Sequence, residues 1–136
     1  MMKLLLDINV LLDVFLNRQP WVTDAARLLA AVDRGEADGY VAGHTITTVY
    51  YLIAKARDRR VAAVAVTDLL RIVKVVPMEA ADFHQALVLG LDDFEDAVQV
   101  AAGLKVGADY VATRDDKHFR GSPLPARSPG EILAML

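Results

Sequence analysis

The chain has 136 residues, 54% of them hydrophobic, with 15 basic and 18 acidic side chains and a formal charge of −3. That length suits one domain over residues 1–136, and the apolar share supports a packed core rather than a disordered chain. Cysteine is absent, which excludes disulfides, thiolate metal sites and cysteine nucleophiles; the three histidines, His44, His84 and His118, are too scattered for an imidazole zinc site.

Leu4 to Ile8 is a short, continuous apolar run, the pattern of a strand buried on both faces. Asn9 is placed to cap the helix that continues through Leu16, and Asn17-Arg18-Gln19-Pro20 breaks it. Thr23 to Arg34 reads as a helix with Ala26, Leu29, Ala30 and Val32 facing inward, ended by Gly35. Gly39 to Gly43 is a brief strand. Ile46, Val49, Leu52, Ile53 and Ala56 recur at helical spacing over Thr45 to Ala56, and Lys55 to Arg60 forms a basic corner. Val61 to Leu70 continues as helix, and Ile72 to Val76 is a strand closed by Pro77. Glu79 to Gly90 and Asp93 to Val106 are helices, the second ended by Gly107, and Asp109 to Thr113 is a further strand. Ser128-Pro129-Gly130-Glu131 combines a cap, a proline at the first helical position and an acid in the first turn.

Strands that alternate with helices predict an α/β fold with a parallel sheet covered on both faces. Right-handed crossovers put all the strand C-termini on one edge, where such folds bind ligands. Asp7 and the Thr113–Asp116 segment both fall there. The apolar runs are broken by charge well before the roughly 20 residues that a membrane span needs. The first run meets Asp7 too soon for a signal peptide, so the expectation is a cytoplasmic protein with no membrane partner. Net charge does not advertise nucleic-acid binding, although carboxylates gathered in one place would mask a basic rim.

Asp7, Asp96 and Asp115 are the candidate catalytic set. Magnesium and manganese take hard oxygen ligands, and carboxylates at close range repel one another unless a cation neutralises them. Asp93, three residues before Asp96, lies near it on a helix surface and joins the candidate metal ligands; Asp92 is a weaker candidate and Asp116 an alternative to Asp115. Each also has an ordinary reading. Acids in a first helical turn complement the helix dipole, and Asp115-Asp116 suits a turn after a strand. Asp7, at the end of a buried strand, needs partners in any case. Asn9 is a helix cap or a supporting group of the site. Asp13 is either a supporting acid or an exposed helix charge, and Thr113 either bonds Asp7 or a ligand or is a plain strand-end hydroxyl. His84 and His118 read as surface or satisfied histidines, and Trp21, Tyr50 and Tyr51 as packing. Arg114 and Lys117 are candidate phosphate-binding cations, among scattered others at Lys55, Arg57, Arg59, Arg60 and Arg120.

Leu5-Leu6-Asp7-Ile8-Asn9-Val10-Leu11-Leu12-Asp13 resembles the opening motif of the PIN-domain ribonucleases, which include the VapC-type toxins. Asp93-Phe94-Glu95-Asp96-Ala97 with Ala101-Ala102 resembles their third acidic motif. Gly107 to Asp115, with Phe119 after it, resembles the last one, and Ser128 to Leu133 is also similar. The resemblance spans nearly the whole chain in order. It implies a three-layer α/β/α sandwich with a central parallel sheet and Mg2+- or Mn2+-dependent cleavage of RNA. It implies Asp7, Asp96 and Asp115 as metal ligands, with Asn9 and Thr113 as helpers. It also implies a homodimer and a small antitoxin partner. One departure stands out: many relatives carry a glutamate in the helix after the second strand, and here Thr48 fills that slot. That substitution keeps open an alternative, a non-catalytic PIN-like module that binds RNA or a protein. A phosphoacceptor or phosphatase with Asp7 as nucleophile is disfavoured, because Asn9 stands where a second aspartate is wanted.

Overall fold

Leu4, Leu5 and Leu6 are fully buried in β1 (Lys3–Leu6), the middle strand of the computed structural model, which describes Met1–Leu136. β2 (Asp38–Ala42) and β3 (Lys74–Val76) lie to one side of it, and β4 (Tyr110–Ala112) and β5 (Ala126–Arg127) to the other. The order is β3-β2-β1-β4-β5 and every pairing is parallel, with Leu5 opposite both Tyr40 and Val111. The chain builds outward from β1 to β3 and then returns to the opposite flank at β4. The switch in strand order therefore lies between β1 and β4, whose C-terminal ends carry Asp7 and Thr113.

The uninterrupted leucines of β1 serve both faces. Leu4 and Leu6 join a core with Leu11, Leu28, Val49, Ile53, Leu69 and Ile132, whereas Leu5 turns to Ala42, Val76 and Ala102. Burial of each leucine contributes about 1.5–3 kcal/mol. On the first face lie α1 (Ile8–Phe15), α2 (Val22–Asp33), α3 (Gly43–Ala56), α4 (Arg59–Ile72) and α7 (Pro129–Met135). On the second, α5 (Ala80–Val88) packs on α6 (Phe94–Val106), which lies chiefly over β2 and β1 and also meets β3 and β4. The predicted three-layer α/β/α arrangement is present. Ala97 to Gly103 of α6 are buried at every position. Gly103 allows this close approach: a Cβ there would stand 2.5 Å from Leu124 Cδ2 and 3.3 Å from Leu5 Cβ. Gly107, with φ of 71°, closes the helix in the left-handed conformation.

Several sequence expectations are corrected. Ile8 belongs to α1, not to the strand, because the Asp7 carboxylate caps that helix by accepting from the Ile8 N–H. Asn9 is therefore not the cap, and its side chain is released for other bonds. The inner stripe of α2 is Ala25, Leu28, Leu29 and Val32, at i, i+3, i+4 and i+7 spacing, with Ala31 also buried and Ala30 exposed. β5 and a 3-10 turn over Asp116–Phe119 were not expected; β5 is two residues long and its order comes from pairing with β4.

Candidate active site

Asp7 continues the ladder between β1 and β4, its N–H donating to the Ala112 carbonyl at 3.0 Å. This holds a side chain that is only 4% exposed at the sheet edge. Asp7 Oδ1 accepts from the Ile8 N–H at 2.8 Å and from Gln99 Nε2 at 2.9 Å; Oδ2 accepts from the Thr113 hydroxyl at 2.8 Å. All three donors are neutral. Burial raises the Asp7 pKa above the ordinary carboxylate value, the hydrogen bonds from Thr113, Gln99 and Ile8 oppose that rise, and the charge of Asp115 adds to it.

Asp115 is tied into the same network. The Thr113 Oγ1 that donates to Asp7 accepts from the Asp115 N–H at 3.0 Å. Asn9, freed from capping, donates its Nδ2 to Asp115 Oδ2 at 2.9 Å. The third carboxylate arrives from α6. Asp93 caps that helix, accepting from the Asp96 N–H at 3.0 Å, and Asp96 stands one turn before Gln99. Burial, then the charges of Asp93 and Asp7, push the Asp96 pKa up to about 6, with His118 acting in the opposite direction. His118 Nδ1 lies 3.9 Å from Asp96 Oδ2. A cleft of about 530 Å3 opens here, with Asp92, Asp93 and Asp96 on one side and Lys117, His118 and Arg120 of the 3-10 segment also lining it.

The acids thus meet on one edge and sense one another's charge, but they do not form a ready chelate. No three of the histidine and acidic side chains stand where they would together hold a metal ion. Asp7 and Asp115 are instead turned to hydrogen-bond donors of their own. Two buried oxygens beside them, Asn9 Oδ1 and Gln99 Oε1, have no hydrogen-bond partner.

Other predicted residues take different places. Arg114 is engaged internally: its guanidinium donates to Asp13 at 2.7 and 3.3 Å, lies 3.9 Å over the Trp21 ring, and has Nη1 3.9 Å from Asp115 Oδ2. Lys117 lines the cleft. Asp13 is 1% exposed, so it is no surface helix charge. Trp21 and Tyr51 are 45% and 61% exposed and are not core packing. The Thr48 hydroxyl donates back to the His44 carbonyl at 3.2 Å, the usual local bond of a helical threonine. Gln99 was missed, and its one signal is a lone polar residue within an apolar stretch of helix. His44 was dismissed with the other histidines, yet both its ring nitrogens are buried without partners; burial lowers its pKa and Glu95 opposes this.

Comparison with known proteins bears on this arrangement. The family model described as PIN domain matches residues 3–117. "Ribonuclease VapC1" of Aquifex aeolicus (strain VF5) is 26% identical over 125 residues, covering 86% of this chain and 84% of that protein. Among solved structures, Mycobacterium tuberculosis VapC20, described as a sarcin-ricin loop cleaving toxin, superposes with a TM-score of 0.73 at 19% identity, over 91% of this chain and 98% of its own. VapBC2 from Rickettsia felis, solved bound to a DNA fragment from its promoter, gives a TM-score of 0.72 at 13% identity, over 93% of this chain and 98% of its own. The last two share the fold.

Proposed function

The chain belongs to the PIN-domain family, and from that premise we propose that it is a metal-dependent endoribonuclease, the toxin of a type II toxin–antitoxin pair. The observation that carries the proposal is the single network that joins Asp7, Asn9, Gln99, Thr113 and Asp115 at the strand switch, with Asp96 one helical turn from Gln99. Likeness to Ribonuclease VapC1 over most of both chains supports the reaction class.

The donor set suits Mg2+ or Mn2+. Asp7 and Asp96 are both held above the ordinary carboxylate range by burial and by neighbouring negative charge, a penalty that a bound cation would relieve. The unpaired amide oxygen of Asn9 is a hard acceptor of the kind such ions prefer. Asp7, Asp96 and Asp115 would hold the ion, with Asp93 beside them. When bound, a divalent ion supplies Lewis acidity, lowering the pKa of water and stabilising charge that grows on a phosphate oxygen. Thr113 and Asn9 orient Asp7 and Asp115. Lys117, and with it Arg120, meets the RNA phosphates from within the cleft. Arg114 acts in RNA binding only if it leaves Asp13.

The partner reading is an antitoxin that blocks this cleft, supported by the VapBC2 relative solved on promoter DNA, together with a homodimer of this chain. No helix is long and apolar enough to cross a membrane, in keeping with the proposed cytoplasmic setting. RNA cleavage in the presence of Mg2+ or Mn2+, compared between wild type, Asp7→Asn and Asp96→Asn, tests the proposal. Loss of activity in both variants is expected, and equal activity in all three rejects these residues as catalysts.

A second reading, the non-catalytic PIN-like module, draws on two observations. Thr48 supplies no carboxylate, and the acids are not arranged as a chelate. Failure of the wild type to bind Mn2+ at millimolar concentration favours it.

A further inference from the structure

Gln99 occupies a position that packing alone would fill with hydrocarbon. It is 1% exposed, in the fully buried stretch of α6. Its Nε2 donates to Asp7, and its Oε1 is buried with no partner. An acceptor left unpaired in the interior is costly, so this side chain forgoes one bond while making the other. Asp7's other donors come from β1's own continuation into α1 and from the end of β4. Gln99 alone among the three belongs to the helix that carries Asp96.

The distribution of donors over the two Asp7 oxygens is unequal. A carboxylate oxygen has about two lone-pair directions. On Oδ1, the Ile8 N–H and Gln99 Nε2 fill both; on Oδ2, Thr113 fills one. We infer that Gln99 is a positioning residue that occupies Oδ1 of Asp7 and so leaves Oδ2 as the oxygen offered to a divalent cation, in fixed register with Asp96. This inference rests on the metal-dependent reading above and names the residue that orients its innermost ligand.

Gln99→Met tests it, because methionine keeps the length and unbranched shape but donates no hydrogen bond. The variant loses an unpaired buried acceptor but also one of the two donors on Asp7 Oδ1, so its melting temperature in chelator serves to confirm that it folds. Its calorimetric Kd for Mn2+ is expected to weaken about tenfold or more, the usual cost of losing a partner that orients a ligand. A purely structural role for Gln99 predicts unchanged Mn2+ affinity, and that result overturns the inference while leaving the nuclease reading intact. Should Gln99→Met not fold, the wild type decides. The Gln99 side-chain NH2 resonance is expected to shift with added Mg2+ and to saturate with the binding curve; a resonance that stays fixed while Mg2+ saturates overturns the inference. A wild type that binds neither ion removes the metal-dependent reading, and this inference falls with it.

Discussion

Asp7 and Asp13 lie six residues apart in one motif, and both are almost fully buried, at 4% and 1% exposure. Their surroundings differ in kind. Asp13 receives the Arg114 guanidinium through two hydrogen bonds, with Arg18 3.9 Å away and the Trp21 ring stacked on Arg114. Asp7 receives only an amide, a hydroxyl and a backbone N–H. One buried acid has its charge met by a cation in contact; the other has its charge hydrogen-bonded by neutral groups, with no cation in contact. The difference teaches how to tell structural from functional acids. A carboxylate that serves stability is matched by a cation, because an unpaired buried charge is costly. A carboxylate buried beside other acids and denied a cation is a candidate for binding one.

Mutation can break this contrast from either side. The largest expected effect on stability is at the structural acid. Arg114→Met strands Asp13 in the interior and is expected to cost about 3 kcal/mol in urea unfolding, the low end for a broken buried pair because Arg18 stays close. At Asp7 the sign reverses. Asp7→Asn removes a buried charge with no cation in contact, so metal-free stability is expected to hold or rise by about 1 kcal/mol, while RNA cleavage falls by at least about a hundredfold. Loss of stability at both acids would erase the distinction.

Acidity gives a finer probe. The folded-state pKa of Asp96 is pushed up to about 6, from an ordinary carboxylate value of 3.8, and Asp7 is also raised. Between those two pH values the folded chain holds more protons than the unfolded one, so stability falls as pH rises through that window. Melting temperature measured in chelator is expected to decline from about pH 4 to about pH 6. Asp96→Asn is expected to flatten the decline. The smallest effect is at Trp21, whose half-exposed ring stacks on Arg114. Trp21→Ala is expected to cost about 0.5–1 kcal/mol, with cleavage almost unchanged.

Much of the fold was legible because its signals are local. The apolar run at Leu4–Leu6, the helical spacing of Val49 and Ile53, and the cap at Ser128 each identify an element within a few residues. β5 was not legible, since Ala126–Arg127 becomes a strand only by lying against β4. At the site, Asp7 drew notice as a charge ending a buried strand, and the gathering of Asp96 and Asp115 on the same edge followed from parallel topology. The direction of each side chain did not follow, because it depends on donors from distant elements. Asn9 looked like a cap until Asp7 took that role and left it to reach Asp115. Gln99 was not singled out at all, because only the packing of α6 between the sheet and α5 turns it inward. Arg114 looked like a free cation because its partner is 101 residues away.

Calorimetric titration of Mn2+ into wild type and Asp7→Asn addresses the Asp7 charge most directly. Saturable binding to the wild type, lost in Asp7→Asn but kept in Asp13→Asn, is the expected result. Equal binding by wild type and Asp7→Asn, or none by either, would contradict the view that Asp7 is reserved for a cation.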